Sequence, residues 1–474
     1  MITTERPSTV TVGRFTIAQS QMRNAALFVL SVLAVYVLQP AMPIRQMDFW
    51  LPTASLALAV IVWAATSPAL AAGRRLDRAV LADAAIIGGI VLGVAALRFV
   101  EPLNGLITRT PPPSLLSAAI ALTIVALLAV GAGRLIGPRP AWTMLPVVAL
   151  IVLLVVLKYE PLTQAFAAAL RATQGQAAAQ ASAFDVRWLG FSYIFFRLVS
   201  ALRERAAGRL PAMSLHEFVT YVVFAPALIA GPIDRPDRFL KDLRAPFTFN
   251  GPDTGEGLRR IATGTFKKFV VADVIALVAL NEVNAAQVQG AGWAWLLVYA
   301  YALRIYFDFG GYTDIAVGVA RIFGVRLPEN FNRPYLKPNL TQFWNSWHMS
   351  LAQWFRAYYF NPLTRALRTR AWTMSAIIFV GQVTTMLLIG LWHGITWNFA
   401  IWGLWHGLGL FVHNRWADFA KTRLTIPPER PRLQQAVSAG GVLITFHFVT
   451  LGWVWFALPD VALSLEVLGK LFGL

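Results

Sequence analysis

The chain has no cysteine among its 474 residues. That absence removes disulfides, thiolate metal sites, a cysteine nucleophile and any protein-borne thioester together. Charge is also scarce. Charged residues make up 14% and hydrophobic residues 57% of the sequence, where a soluble domain averages about 25% charged. Several apolar runs approach the roughly 20 residues that cross a bilayer. The composition excludes an ordinary soluble enzyme and predicts an all-α polytopic membrane protein. Acidic residues number 23 against 41 basic ones, for a net charge of +18. No basic domain stands apart from the apolar runs, so the excess reads as basic cytoplasmic loops and contact with the anionic lipid bilayer, with no nucleic acid. No G-x-S-x-G elbow, H-E-x-x-H pair, Walker motif or dinucleotide glycine motif occurs. A serine triad, a zincin-type site (no metal is expected) and a nucleotide fold therefore lose their usual signatures.

Apolar spans are expected near 24–39, 49–66, 80–100, 115–136 and 141–157. Further spans fit 371–391, 394–412 and 437–458, and about eleven transmembrane helices plus re-entrant pieces are expected in all. The aromatic stretch 188–205, with Arg197 inside it, is one candidate re-entrant helix. Stretch 159–185 suits an external or interfacial segment, 216–239 breaks at Gly231-Pro232, and 234–257 reads as a loop. Basic residues alternate along the linkers. Arg14 and Arg23 precede the first span, Arg74, Arg75 and Arg78 follow the second, and Arg134 and Arg139 follow the fourth. The intervening loops carry Arg45 and Arg109, so the positive-inside rule puts the N-terminus in the cytoplasm. Segment 1–23 is polar and lacks the pattern of a removable signal peptide. With no repeat in sight, the expectation is one membrane domain over 1–474, comprising N-terminal spans at 24–157, a core at 188–413 and a last span at 437–458.

Two stretches combine apolar character with charge. Stretch 258–280 reads as a helix with a basic start, in which Lys267 and Lys268 are expected near a membrane surface, with simple snorkelling as the plain explanation. Stretch 293–325 holds Arg304, Asp308, Asp314 and Arg321. A charge at the centre of a span costs roughly 2.5–3.5 kcal/mol on insertion scales. Asp308 and Asp314 are accordingly expected to line a cavity or to pair with Arg304 or Arg321, and Gly310-Gly311 to mark a bend between two shorter helices. A proline-rich loop, 326–339, follows.

The chemistry concentrates in 339–413, which carries four of the six histidines: His348, His393, His406 and His413. Imidazole exchanges protons near neutral pH. Trp344, Trp347, His348, Leu351, Trp354, Phe355 and Tyr358 recur at spacings of three and four, which predicts one helix with an aromatic face around His348. On that face His348 is either a packed core residue or a functional one. His393 closes an apolar run beside Gly394, where a general base toward a hydroxyl has room to work.

Five stretches together resemble the membrane-bound O-acyltransferase (MBOAT) family. They are GPIDRPDRF (231–239), GTFKKFVVAD (264–273), IYFDFGGYTDIAVGVARIFGVRLPENFNRPY (305–335), FWNSWHMSLAQWFR (343–356) and LWHGITWNFAIWGLWHG (391–407). The likeness is to the bacterial branch of alginate O-acetylation and teichoic acid D-alanyl transfer. It implies a ring-like helical fold with a central tunnel. It makes His393, in Trp392-His393-Gly394, the catalytic histidine, and His348, in Trp347-His348-Met349-Ser350, the second functional one. Trp347, Trp354, Trp392 and Asn398 become candidate substrate contacts, with Arg304, Asp308 and Asp314 lining the cavity. GPIDR matches the D-alanyl branch. LGWVWFALP (451–459) matches the alginate branch, except that Ala457 stands where arginine is expected.

The implied reaction moves a small acyl group, acetyl by preference and D-alanyl as the alternative, from a thioester donor to hydroxyls of an exported polysaccharide. The co-substrate is acetyl-CoA or an acyl carrier, with no bound cofactor. The implied partners are the donor carrier and an exported glycan or an accessory extracytoplasmic transferase, and the implied setting is a bacterial inner membrane. A transporter would use the same helix breaks and buried charges, but it should show related halves.

Overall fold

The structure, a computed structural model, describes residues 9–12, 15–100, 103, 107–424 and 430–474. Arg14 and residues 1–8 of the N-terminal segment lie outside the described residues. Apart from a short antiparallel hairpin, Thr9–Val12 with Phe15–Ala18, the regular structure is helical. Among the described residues, seven helices are long and apolar enough to cross a membrane: Gln19–Val37, Met47–Thr66, Arg78–Phe99, Leu115–Leu135, Pro140–Lys158, Met374–His393 and Pro431–Ala457. These are fewer than the eleven spans expected. Helices Ala291–Ile322 and Trp397–Arg423 are longer than most of the seven, but charged and aromatic residues dilute their apolar character. The stretches near 188–239 fold instead as the shorter helices Phe191–Ala206, Leu215–Val222 and Pro236–Arg244.

Chain contacts divide the protein into two compact units, Met1–Arg259 with Ala316–Leu327, and Arg260–Ile315 with Pro328–Leu474. In the first unit Arg197 is buried, and its guanidinium donates to the carbonyls of Val222 (2.8 Å) and Ala227 (2.6 Å). A cation in an apolar helix is tolerated when the main chain beside it supplies acceptors in this way. The expected loop 234–257 is largely helical. Pro236 opens Pro236–Arg244 with Asp237 in its first turn and Lys241 and Arg244 in its last, the charge order that a helix dipole favours. Arg321 pairs with Asp253 at 3.0 Å.

In the second unit Gly310-Gly311 does not divide two shorter helices, because Ala291–Ile322 is one continuous helix of 32 residues. The glycine at 311 serves close approach instead. A Cβ there would lie 2.7 Å from the Gly264 carbonyl oxygen, and one at Gly264 would lie 2.5 Å from that of Gly311. Such small-residue contacts are a common way to bring helices together in membranes. Beyond Gly264 the chain widens into a π-helix, Lys267–Ala272. Lys268 meets Asp308 at 2.5 Å and Lys267 meets Asp314 at 2.7 Å, while Arg260 joins Asp314 (3.2 Å) and Glu329 (2.6 Å). The lysines are therefore ion-pair partners rather than free snorkelling side chains, and they take the place expected of Arg304 and Arg321. The close glycine contact brings the two backbones near enough for lysine and aspartate to meet.

Candidate active site

The aromatic stretch around His348 is not one helix. It runs as Leu340–Trp344, a turn, Met349–Phe355, a π-helical turn Arg356–Phe360, and Asn361–Arg368. His348 is the residue before Met349–Phe355 and takes the left-handed conformation, φ 42° and ψ 51°. For a residue with a Cβ this costs on the order of 1–3 kcal/mol and persists only where the surroundings enforce it. The enforcing contacts come from the 328–333 loop. The Asn332 amide donates to the Ser346 carbonyl (3.0 Å) and the Met349 amide to the Asn330 carbonyl (3.0 Å). The Asn330 side-chain oxygen accepts from the Ser350 hydroxyl (2.6 Å) and from the Ser350 amide (3.3 Å). His348 supplies no cap of its own, so a distant asparagine satisfies the N-terminal amide that a local Ser or Asp usually would.

The turn buries the His348 ring to 4% exposure. Its edge meets Phe309 at 4.7 Å and Trp392 at 6.3 Å between ring centres. Among the described residues, neither ring nitrogen has a hydrogen-bond partner of standard geometry. Burial pushes the imidazole down to about 3, with a weak opposing contribution from its own main chain, so the ring is neutral at physiological pH.

His393 is the last residue of Met374–His393 and is half-buried. Its ring touches Trp392 (4.6 Å), Phe456 (4.8 Å), Trp402 (5.8 Å) and Phe399 (5.9 Å). Trp392 is thus in contact with both imidazoles. The helix end is held where it is by close packing with Trp397–Arg423. A Cβ at Gly390 would lie 2.2 Å from the Phe399 carbonyl oxygen, and one at Gly403 would lie 2.6 Å from that of Met386. Gly394 is extended, and a Cβ there would meet the Phe399 ring at 2.8 Å.

A cleft of about 170 Å³ has the His348 segment as one wall, through Trp344, Asn345, Ala352, Arg356 and Phe360, and the His393 helix as the other, through Gln382, Thr385, Met386 and Ile389. Ile389 precedes Trp392 by one turn. The cleft is mostly apolar, with two amides, two hydroxyls and a guanidinium among its lining residues. The Trp344 indole N–H and the Gln382 side-chain carbonyl are buried without hydrogen-bond partners among the described residues.

The other predicted residues separate from this cleft. Trp347 is a core aromatic, packed on Phe331 (5.0 Å), Trp453 (5.0 Å) and Phe343 (5.7 Å). Trp354 meets Phe355 edge-on and Tyr358 at a tilt, each at 5.2 Å. Asn398 is buried, and its amide donates to the Leu458 and Asp460 carbonyls and the Ser464 hydroxyl at 2.9–3.0 Å, tying the start of one helix to the chain after another. Asp314 lines a small polar cavity of about 70 Å³ with Lys267, Thr313 and Glu329. Asp308 is half-exposed, and Arg304 is not among the ion-pair partners of either carboxylate. Sequence reasoning missed Asn330, Phe309 and Phe456. Asn330 stood in the PENFNRPY run as an ordinary loop asparagine, and no local pattern connects it to Ser350.

The sequence model of MBOAT, the membrane-bound O-acyltransferase family, matches residues 15–450, most of the chain. The chain belongs to the MBOAT family. It is a membrane protein and an O-acyltransferase, an enzyme that moves an acyl group to a hydroxyl. Among relatives of this MBOAT protein, the teichoic acid D-alanyltransferase of Bacillus subtilis is 32% identical over 277 residues, covering 57% of this chain and 69% of the relative. The probable alginate O-acetylase of Azotobacter vinelandii is 34% identical over 289 residues, 60% of this chain and 54% of the relative. The peptidoglycan O-acetyltransferase of Helicobacter pylori is 33% identical over 288 residues, 58% of this chain and 52% of the relative. The match thus spans about half the length of these two O-acetyl-transferring relatives.

Proposed function

We propose that this enzyme transfers a small acyl group, acetyl by preference, from a thioester donor to hydroxyls of an exported cell-surface polysaccharide, with His393 as general base. The observation that carries the reading is the Trp392 ring, which meets those of both His348 and His393, next to a cleft lined by other residues of the two segments that carry these histidines. In this reading the acyl-bearing arm of acetyl-CoA or an acyl carrier lies between the walls, with Arg356 available to its phosphate. The acceptor oxygen attacks the thioester carbonyl as His393 takes its proton. The carbon–sulfur bond breaks, and the proton passes from His393 to the departing sulfur. His348 orients the carbonyl or supports its developing negative charge. The absence of cysteine supports direct transfer without a thioester on the protein.

The acceptor class is inferred from the alginate and peptidoglycan relatives. D-alanyl transfer stands as a second reading because the teichoic acid relative matches over a larger share of its length. The setting we propose is a bacterial inner membrane with the N-terminus in the cytoplasm, supported by the alternation of basic linkers. That orientation places a cytoplasmic donor carrier on one side, and the glycan or an accessory transferase on the other. The test supplies purified protein with labelled acetyl-CoA, acetylated carrier or D-alanylated carrier and a panel of envelope glycans, then follows intact protein mass and product. Labelled glycan with unmodified protein is expected. A protein acylated at a competent rate that discharges on acceptor overturns direct transfer, and transfer confined to D-alanine overturns the acetyl preference.

A further inference from the structure

We infer that Asn330 is a positioning residue for the reaction, clamping His348 in its left-handed turn so that the imidazole stays packed between Phe309 and Trp392. The inference rests on the functional reading of His348 given above. Three hydrogen bonds run from Asn330 to the two residues that follow His348. Its carbonyl accepts the Met349 amide (3.0 Å), and its side-chain oxygen accepts the Ser350 hydroxyl (2.6 Å) and the Ser350 amide (3.3 Å). Asn330 is itself fully buried, and its side-chain amide lies 3.4 Å from the Thr313 hydroxyl. Thr313 is one turn from Phe309 on the same helix, and Phe309 is the ring against His348. The next residue, Phe331, packs on both Phe309 (5.2 Å) and Trp347 (5.0 Å).

One asparagine therefore joins the backbone that turns at His348 to the helix that carries the ring beside it. A left-handed residue with a Cβ reverts to commoner conformations when released. At the end of a helix, reversion swings the side chain out of its packing site. Asparagine suits the task because it carries an acceptor and a donor on one short, uncharged side chain that remains satisfied when buried.

The test uses the full chain in detergent or nanodiscs. Asn330→Ala is expected to lower kcat at least tenfold in monodisperse protein with donor KM within twofold, and Asn330→Asp, which keeps the acceptor oxygen, is expected to recover most of that loss. In a His348→Ala background the Asn330→Ala loss should vanish, since it acts through that imidazole. Diethylpyrocarbonate labelling of His348, read by peptide mass spectrometry, should speed up at least fivefold in Asn330→Ala and leave His393 unchanged. Should Asn330→Ala not fold, Ser350→Ala carries the same readouts with a smaller change. An unchanged kcat, an equal loss in the His348→Ala background, or unchanged His348 labelling overturns the inference. Wild-type turnover by His348→Ala alone would remove the functional reading, while the labelling arm would still decide the clamp.

Discussion

His348 and His393 both follow a tryptophan, and in one dimension they look alike. In three dimensions they are opposites. His348 sits in a strained left-handed turn, closed in by aromatic rings and neutral through burial. His393 ends a regular helix of 20 residues and is only partly buried. A base that must meet an incoming hydroxyl needs that access, whereas a group that orients a carbonyl gains from rigidity and exclusion of water. The contrast fits the proposed reading, in which His393 transfers the proton and His348 orients the carbonyl.

The largest expected effect comes from His393→Ala. Loss of a general base should lower kcat by about 10³–10⁴-fold while the protein stays monodisperse. Near-wild-type turnover would remove the distinction between the two residues. His348→Ala should cost less, about 10²-fold, the scale of losing one oriented polar group. The sharper measurement is the pH profile. A ring pushed down to about 3 does not titrate between pH 5 and 8. The acidic limb of kcat/KM should therefore stay in place in His348→Gln, and a limb that moves would return the base to His348.

The smallest effect belongs to a third histidine, which serves as a control with a partner. His216 lies 3.0 Å from the Asp83 carboxylate, and that hydrogen bond raises the imidazole above its ordinary value against the opposing effect of burial. A raised folded-state value stabilises fully below the unfolded value of about 6.5. The stabilisation is then lost as pH rises through the raised value. With 34% of the His216 side chain exposed, solvent screening keeps the effect small. Between pH 6 and 8 the thermal midpoint of wild type should fall by about 1 °C more than that of His216→Asn. Equal slopes would mean the pair is not charged.

The sequence was informative where chemistry depends on composition or on apolar length. All seven long apolar helices lie within or close to expected spans, since twenty apolar residues have few other stable states in a bilayer. The sequence also marked Trp392-His393-Gly394 and Trp347-His348 as the places to look. It misled around Gly310-Gly311 and along 343–358, for one shared reason. A glycine pair reads locally as a bend, and aromatic residues at spacings of three and four read locally as one helix face. In the fold, partners remote in sequence decided otherwise. Gly264 accepted Gly311 as a packing surface, and Asn330 capped a helix that begins after a turn at His348.

By itself, then, the sequence determined a helical membrane protein with two tryptophan-preceded imidazoles and no thiol, because composition and hydrophobic length act on each segment independently. Only the tertiary structure decided that Lys267 and Lys268 answer the aspartates, that Trp392 touches both histidines while Trp347 packs on core rings and Asn398 hydrogen-bonds the chain at 458–464, and that His348 is held in a left-handed turn. Each of these depends on hydrogen bonds, ion pairs or ring contacts between residues far apart in the chain. Their energies exceed the local preferences that periodicity reads, and no local pattern records them.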